Sequence, residues 1–495
     1  MTSIGPYPIL DAQEAVAFLK HGDTVAFSGF SPAGGAKAVP EALAKRARAE
    51  TEFKLRVLTG ASSGDSIDEH LAAANAVLWR APYQSGKSMR DRINAQQVEY
   101  VDMHLSHVPQ TVAFGFFGHI DLAVVEASEI TPDGRVYLTT SIGASPTYLR
   151  HAQKVIIELN SHHSPRLREM HDIFVMPPPP HRDPLPIKDP LTRIGVPYAL
   201  VDPQKVIGIV ESNAPDTVSG FHAVDENGRK IAEHVVNFLI AEMRAGRIPA
   251  NFLPLQAGVG NVANSVMAVL GSHPDIPPFK MYTEVFQDAM VELLLNERLL
   301  GASACSLTVT EQKLRTIVEN IDFVAPRVVL RSQEISNHPG IIRRLGVIAL
   351  NTALEFDIYG NVNSSHLYGT HILNGIGGSG DFTRNGYLTI FMTPSIAKGG
   401  KVSAVVPMCP HIDNNEHSVH VVVTEQGLAD LRGLGPMQRA AAIIDNCAHP
   451  RYQSYLRQYI AQSRIGHIRH DLSRCFEMHQ NLLMHGDMLP DEQPV

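Results

Sequence analysis

Cysteine is scarce. Four stand among 495 residues, Cys305, Cys409, Cys447 and Cys475, far apart and with no C-x-x-C pair. That excludes a disulfide framework and points to free thiols in a reducing compartment. Long apolar runs are also missing: none approaches the roughly 18 residues that span a bilayer. The amino terminus lacks a basic segment followed by an apolar core. These absences give the expectation of a cytoplasmic protein with no membrane partner. Positive charge is nowhere concentrated. The formal net charge of −8 is spread thinly, and no basic run could track a phosphate backbone, which argues against nucleic acid as a partner. A local basic site for an anionic ligand stays open.

What is present is an ordinary globular composition, 44% hydrophobic and 19% charged, on a chain long enough for about two to four domains. The first third alternates β-rich and helical runs. Thr24 to Phe30 reads as a strand, Gly34-Gly35 as a turn, and Pro40 to Ala44 as a helix with proline tolerated in its first turn. Leu55 to Thr59 and Ile120 to Glu126 read as further strands, and strands alternating with helices predict an α/β domain with a mostly parallel sheet. The proline-dense stretch from Pro177 to Pro190 excludes helix interior and central strand. A strand-like run, Val206 to Val210, follows it and fits the first sheet. The polar, turn-rich stretches Asn213 to Asp216 and Asp225 to Gly228 then suggest two domains, 1–222 and 223–495, the second opened by a helix from Ile231 to Met243. A partial repeat supports two related halves. Ile120-Asp121, Asp133 to Val136, Ser141 to Ser145 and Lys154-Val155 recur in order as Phe356-Asp357, Tyr359 to Val362, Gly375 to Ser379 and Lys401-Val402.

Chemistry concentrates around Met281-Tyr-Thr-Glu284-Val-Phe-Gln-Asp288. A strand after Pro278 hands Glu284 to the mouth of a helix patterned by Phe286, Met290, Leu293 and Leu294, with Thr283 as its cap and Gly301 past its end. A carboxylate at a strand's carboxyl end can act as nucleophile, base or hydrogen-bond acceptor. The plainer alternative is a solvated Glu in a helix's first turn. Two glycine loops bear on the choice. Gln256-Ala-Gly258-Val259-Gly260-Asn-Val-Ala263 lies between a strand and a helix and has the G-x-G-x-x-A form of a dinucleotide fingerprint. Glu284 then stands where a ribose-binding acid belongs. Asn374 to Asp381 spells G-x-G-x-x-G, but the turn at Asn385-Gly386 and the strand pattern of Tyr387 to Met392 predict a loop between strands. Cys409, His411, Asp413, His417 and His420 crowd together without metal-ligand spacing, so no metal is expected.

Several longer motifs occur in one order along nearly the whole chain. They are Phe27-Ser-Gly-Phe-Ser-Pro-Ala-Gly34, Trp79-Arg-Ala-Pro-Tyr-Gln84, Gly115-Phe-Phe-Gly118, Gly258-Val-Gly-Asn-Val262, Tyr282-Thr-Glu-Val285, Glu334 to Gly346, Leu354-Glu-Phe-Asp357, Gly375-Ile-Gly-Gly-Ser-Gly-Asp-Phe382, Ser395 to Gly400 and Thr424 to Gly433. Together they resemble the acetyl-CoA hydrolase/transferase family of class I CoA-transferases. The resemblance implies two related CoA-transferase-fold domains, a homodimer, and acyl-CoA and small carboxylates as substrates. It implies no tightly bound cofactor; coenzyme A would be substrate and part of a covalent intermediate. Glu284 takes the position of the family's nucleophile, which forms a mixed anhydride and then a glutamyl-CoA thioester. Asn337 takes that of the polar residue beside it. Val259 and Gly378 take the positions of the oxyanion-binding amides, within loops that include Gln256, Gly258 and Gly260. Leu354, Asn374 and Lys398 match CoA-contacting positions. The nearest pattern within the family implies propionyl-CoA:succinate transfer, with succinyl-CoA:acetate transfer or acetyl-CoA hydrolysis as alternatives. A nicotinamide-dependent oxidoreductase using Gly258 to Ala263, and a non-catalytic CoA-binding regulator, are the readings from other classes.

Overall fold

The computed structural model describes residues 3–220 and 225–490, so the expected boundary at 222/223 lies outside the described residues. The chain packs as two compact units: Met1–Gly220 with Phe279–Leu345 and Asn374–Asp381, and Phe221–Pro278 with Gly346–Leu373 and Phe382–Val495. The segments 279–345 and 374–381, which the sequence assigns to the second half, therefore belong by packing with the first.

In the first unit a seven-stranded sheet runs in the spatial order Val206–Ser212, Ala152–Asn160, Ile120–Ala127, Thr24–Phe27, Leu55–Leu58, Val77–Ala81, Glu99–Tyr100. Every neighbouring pair is parallel. A parallel sheet is covered on both faces, so its inner strands read as unbroken apolar runs and not as alternation; all four residues of Thr24–Phe27 are buried. The helix Ala38–Ala49 lays Val39, Leu43 and Ala47 into the core formed with Val25, Phe27, Leu55 and Val57. The strand after the proline-rich stretch does join this sheet, at its edge. Three more parallel strands of the unit, Phe279–Tyr282, Leu299–Ala304 and Val328–Leu330, carry the segment that holds Glu284.

The second unit has the parallel strands Leu255–Ala257, Ile348–Thr352, Leu388–Met392 and Val421–Thr424, closed by Gly427–Asp430 running antiparallel. Its helix Glu226–Arg244 is capped by Asp225, whose carboxylate accepts from the Gly228 amide. One motif occurs twice along the chain. In the first, strand 120–127 leads to the antiparallel pair Glu129–Ile130 and Arg135–Tyr137, then helix Ser145–His151, then the parallel strand 152–160. In the second, strand 348–352 leads to the pair Glu355–Asp357 and Val362–Asn363, then helix Ser379–Asn385, then strand 388–392. The repeat is real in topology, but Ile120-Asp121 lies in an inner strand of the sheet while Phe356-Asp357 lies in the hairpin. The best correspondence is between the hairpin turns at Gly134 and Gly360.

A buried charge cluster ties the first unit together. The Lys37 ammonium bridges Asp216 at 2.9 Å and Glu126, with His163 at 3.5 Å from Glu126. The Glu158 carboxylate accepts from the amides of Lys37, Ala38 and Val39 at the start of the helix. Burial works against ionising Asp216, yet Lys37 and His163 hold its carboxyl below the usual range. Among the described residues, Glu126, His163 and Asp216 form the one group with metal-ligand spacing, and the Lys37 ammonium already supplies its cation. Lys37→Met would strand two buried carboxylates. It should lower unfolding stability by about 3–5 kcal/mol, the scale for breaking a buried pair by removing one partner, measurable by urea titration at pH 7.

Candidate active site

Glu284 sits between two short extended stretches, Phe279–Tyr282 and Val285–Phe286. The first pairs in parallel with 299–304 and the second with Ser306–Leu307, so the chain stays extended past the acid. The Thr283 amide donates to the Ser303 carbonyl at 2.9 Å, and the Glu284 carbonyl accepts from the Cys305 amide at 2.7 Å. The backbone at the carboxylate is thus fixed on both sides. The helix begins only at Asp288, with Gln287 at its cap, and ends at Leu295. This corrects two expectations: Thr283 does not cap it, and Gly301 does not terminate it. The strand pairing of Val285 and Phe286 delays the helix. Gly301 lies inside strand 299–304, where a Cβ would come within 2.7 Å of the Arg327 carbonyl oxygen.

Three other chain segments converge on the Glu284 side chain. The helical turn Gln333–Ser336 ends in Asn337, fully buried, whose Nδ2 donates to Glu284 Oε1. The Tyr282 hydroxyl, donating to the Ile335 carbonyl, pins this turn to the Glu284 strand. From the loop before helix 379–385 comes Gly378, packed so closely that a Cβ there would overlap the Glu284 carboxylate and Asn337 Nδ2. That helix follows the second glycine loop directly, contrary to the expectation of a loop between strands; at seven residues it is too short to show helical periodicity in the sequence. Its Asp381, in the first turn, accepts from Asn337 Nδ2 at 3.2 Å. Ser106 also donates to Asp381, through its amide at 3.0 Å and its hydroxyl at 2.6 Å. Asp102 accepts from the Ile376 amide at 2.9 Å, and the Tyr100 hydroxyl donates to the Asn374 carbonyl at 2.9 Å, fixing the rest of the loop.

Glu284 is half-buried, open enough for a ligand to reach it, yet surrounded by enough protein to change its chemistry. Burial pushes its carboxyl up to about 7; the Asp381 charge adds to the rise and the Asn337 hydrogen bond opposes it. Near neutral pH the result is a carboxylate poorly stabilised by solvent and therefore more nucleophilic than an exposed one. Cys305 and Tyr83 face the same space. Burial raises the thiol well above its usual range and the phenol to about 12, so both are neutral. Phe30, Ala61, Leu105, Val285 and Cys305 form an apolar cluster with Tyr83 packed on it.

Of the residues singled out in the sequence, Glu284, Asn337, Asn374 and Gly378 are brought together in the first unit. The others lie in the second. Strand 255–257 leads through Gly258, Val259 and Gly260 into helix Asn261–Ser272, as expected, with Val259 exposed and Gly260 at φ 123°. Gln256 is buried, its amide paired with Asn351 at 3.2 Å, so it supports the loop from beneath. Leu354 is half-buried, and Lys398 is exposed with its ammonium donating to the Tyr368 hydroxyl at 2.8 Å. Cys409 is buried against the Asn361 carbonyl while His417 faces solvent, so the crowded Cys/His stretch does not converge. Sequence reasoning missed Asp381, Ser106 and Asp102. Asp381 was findable, since it closes the second glycine loop; Ser106 and Asp102 carry no local signal.

Comparison with known proteins matches residues 6–211 to the acetyl-CoA hydrolase/transferase N-terminal domain and 314–460 to the C-terminal domain. The chain is similar to the propanoyl-CoA:succinate CoA transferase of Escherichia coli strain K12, 54% identical over 97% of this chain and 98% of that protein. It is also similar to the succinyl-CoA:acetate CoA-transferase of Clostridium kluyveri, 43% identical over 97% of this chain and 90% of that protein. In fold it resembles RipA from Yersinia pestis, with a TM-score of 0.69 at 22% identity, over 91% of this chain and 96% of that one.

Proposed function

The chain belongs to the acetyl-CoA hydrolase/transferase family, and from that premise we propose that it moves coenzyme A from an acyl-CoA to a free carboxylate, with Glu284 as the covalent carrier. The observation that carries the reading is the Glu284 carboxylate itself: pushed up to about 7, hydrogen-bonded by Asn337 and in contact with the Gly378 backbone. One carboxylate oxygen attacks the thioester carbonyl carbon, the C–S bond breaks, and CoA leaves as thiolate, giving an acyl-glutamyl anhydride. The thiolate then attacks the Glu284 Cδ, expelling the acyl group as a free carboxylate and leaving a glutamyl-CoA thioester. The acceptor carboxylate reverses both steps.

No step moves a proton, so the site needs no general acid or base. It needs hydrogen-bond donors at each oxyanion and exclusion of water. Asn337 Nδ2 lies at Glu284 Oε1, the atom that becomes the oxyanion whenever Cδ is attacked. The Gly378 amide and, by family resemblance, that of Val259 serve the substrate oxyanion. Gln256, Gly258, Gly260, Leu354, Asn374 and Lys398 serve CoA, the exposed Lys398 ammonium being suited to a phosphate. Propanoyl-CoA and succinate are the proposed pair, supported by the 54% identity to a transferase of that name. The reading includes a homodimer on resemblance alone, and a cytoplasmic location supported by the four unpaired cysteines. Among the described residues no helix is long and apolar enough to cross a membrane.

Incubating the protein with propanoyl-CoA and no acceptor should leave a CoA-sized mass on the denatured chain, released by hydroxylamine and mapped to Glu284. Adding succinate, acetate or water then ranks the acceptors by the rate at which the adduct disappears. An unmodified chain from a preparation active in transfer would refute the covalent route, and spectral change with a nicotinamide cofactor would support the oxidoreductase alternative.

A further inference from the structure

We infer that Asp381 is the positioning residue of this site: held by Ser106, it fixes the Asn337 amide with its NH2 group toward Glu284 at every stage of the reaction. The inference rests on the proposed glutamyl-CoA route. The amide of Asn337 has two possible orientations, and only one places N–H groups against the carboxylates. In the observed one, Nδ2 donates to Glu284 and to Asp381, while Oδ1 accepts from the Ser336 hydroxyl at 3.3 Å. Reversal would turn Oδ1 toward two carboxylates and the amide N–H groups toward a hydroxyl.

While Glu284 is a free carboxylate, both acids enforce this orientation. Once Glu284 is an anhydride or thioester its charge is gone, and the hold on Asn337 falls to Asp381. Those are the stages at which a nucleophile attacks Glu284 Cδ and a donor at Oε1 is required. Asp381 is suited to the task because it takes no part in the bond changes at Glu284. It is buried, and the Ser106 amide and hydroxyl both donate to it, as Asn337 does. One Asp381 oxygen accepts from both the Ser106 amide and Asn337 Nδ2 and the other from the Ser106 hydroxyl, so an amide in its place would keep the shape but lose the charge that draws the Asn337 N–H group. His104 also faces Asp381. The remaining titratable neighbours of Glu284, Cys305 and Tyr83, are neutral at working pH.

The test is Asp381→Asn, which keeps shape and removes charge. A donor displaced from an oxyanion costs on the order of a hundredfold, so kcat should fall between about tenfold and a hundredfold with KM for acyl-CoA changed less than about threefold. The adduct should form correspondingly slowly in single-turnover mass measurements. In wild type, the acid limb of kcat/KM should have its midpoint near the Glu284 value of about 7. Loss of a neighbouring negative charge makes Glu284 more acidic, so in the variant this limb should move to lower pH. A role confined to folding would lower the melting temperature without moving the limb. Ser106→Ala, which keeps the backbone donor, should lower kcat by a smaller factor and decides the matter if Asp381→Asn does not fold. A kcat within threefold of wild type for the folded Asp381→Asn, an unmoved limb, or, failing that variant, an unchanged kcat for Ser106→Ala would overturn the inference. If wild type itself forms no adduct, the covalent route fails first; if wild type forms it and the variant keeps pace, only the role of Asp381 is lost.

Discussion

Glu284→Ala protein should fold, bind coenzyme A and transfer it at a rate lower by roughly four orders of magnitude or more, the scale on which removal of a covalent nucleophile acts. Three neighbouring groups are unable to take over. Cys305 is held as a neutral buried thiol, Tyr83 as a neutral phenol, and Asp381 is occupied by Ser106 and Asn337. The isosteric Glu284→Gln separates chemistry from structure. A glutamate whose folded pKa stands above its unfolded value binds more protons when folded, so its contribution to stability is lost as pH rises from about 4.5 to about 7. Glu284→Gln should therefore melt above wild type at pH 8, with the gap closing as pH falls toward 5. Transfer within tenfold of wild type by either variant would remove Glu284 from the mechanism, and a melting gap that widens toward acid pH would contradict the raised carboxyl.

Gly378→Ala is expected to cost activity as well, by a smaller factor, while leaving the fold intact. The position demands glycine on steric grounds: the added methyl would occupy the space of the Glu284 carboxyl and the Asn337 amide. Either the carboxylate rotates away from Asn337 or the loop withdraws its backbone, and both displace the attacking oxygen by a distance comparable to a bond length. Misplacement by about 1 Å costs on the order of a hundredfold, so kcat should fall at least that far. Because Gly378 lies before a short helix and outside the apolar cores, the melting temperature should change little. An active Gly378→Ala would show that the backbone contact has no bearing on the chemistry.

The sequence by itself determined what depends on neighbours along the chain. The parallel strands 55–58, 120–127 and 206–212 announced themselves as apolar runs, and the strand, glycine loop and helix at 255–272 by periodicity and glycine spacing. Glu284 was legible as an acid at a strand end because Pro278 and the residues around it fix the local chain direction. Motif order then supplied the family. Tertiary structure alone decided the rest. Val285 and Phe286 pair with Ser306 and Leu307, and that pairing, invisible in helical spacing, moved the helix cap from Thr283 to Gln287. Asn337 reaches Glu284 across 53 positions, and Ser106 reaches Asp381 across 275. Hydrophobic periodicity reports which face of an element is buried, over three or four residues at a time. It carries no term for which distant side chain will stand opposite a given carboxylate. The basicity of Glu284 arises from burial and from Asp381, so it exists only once those segments have packed.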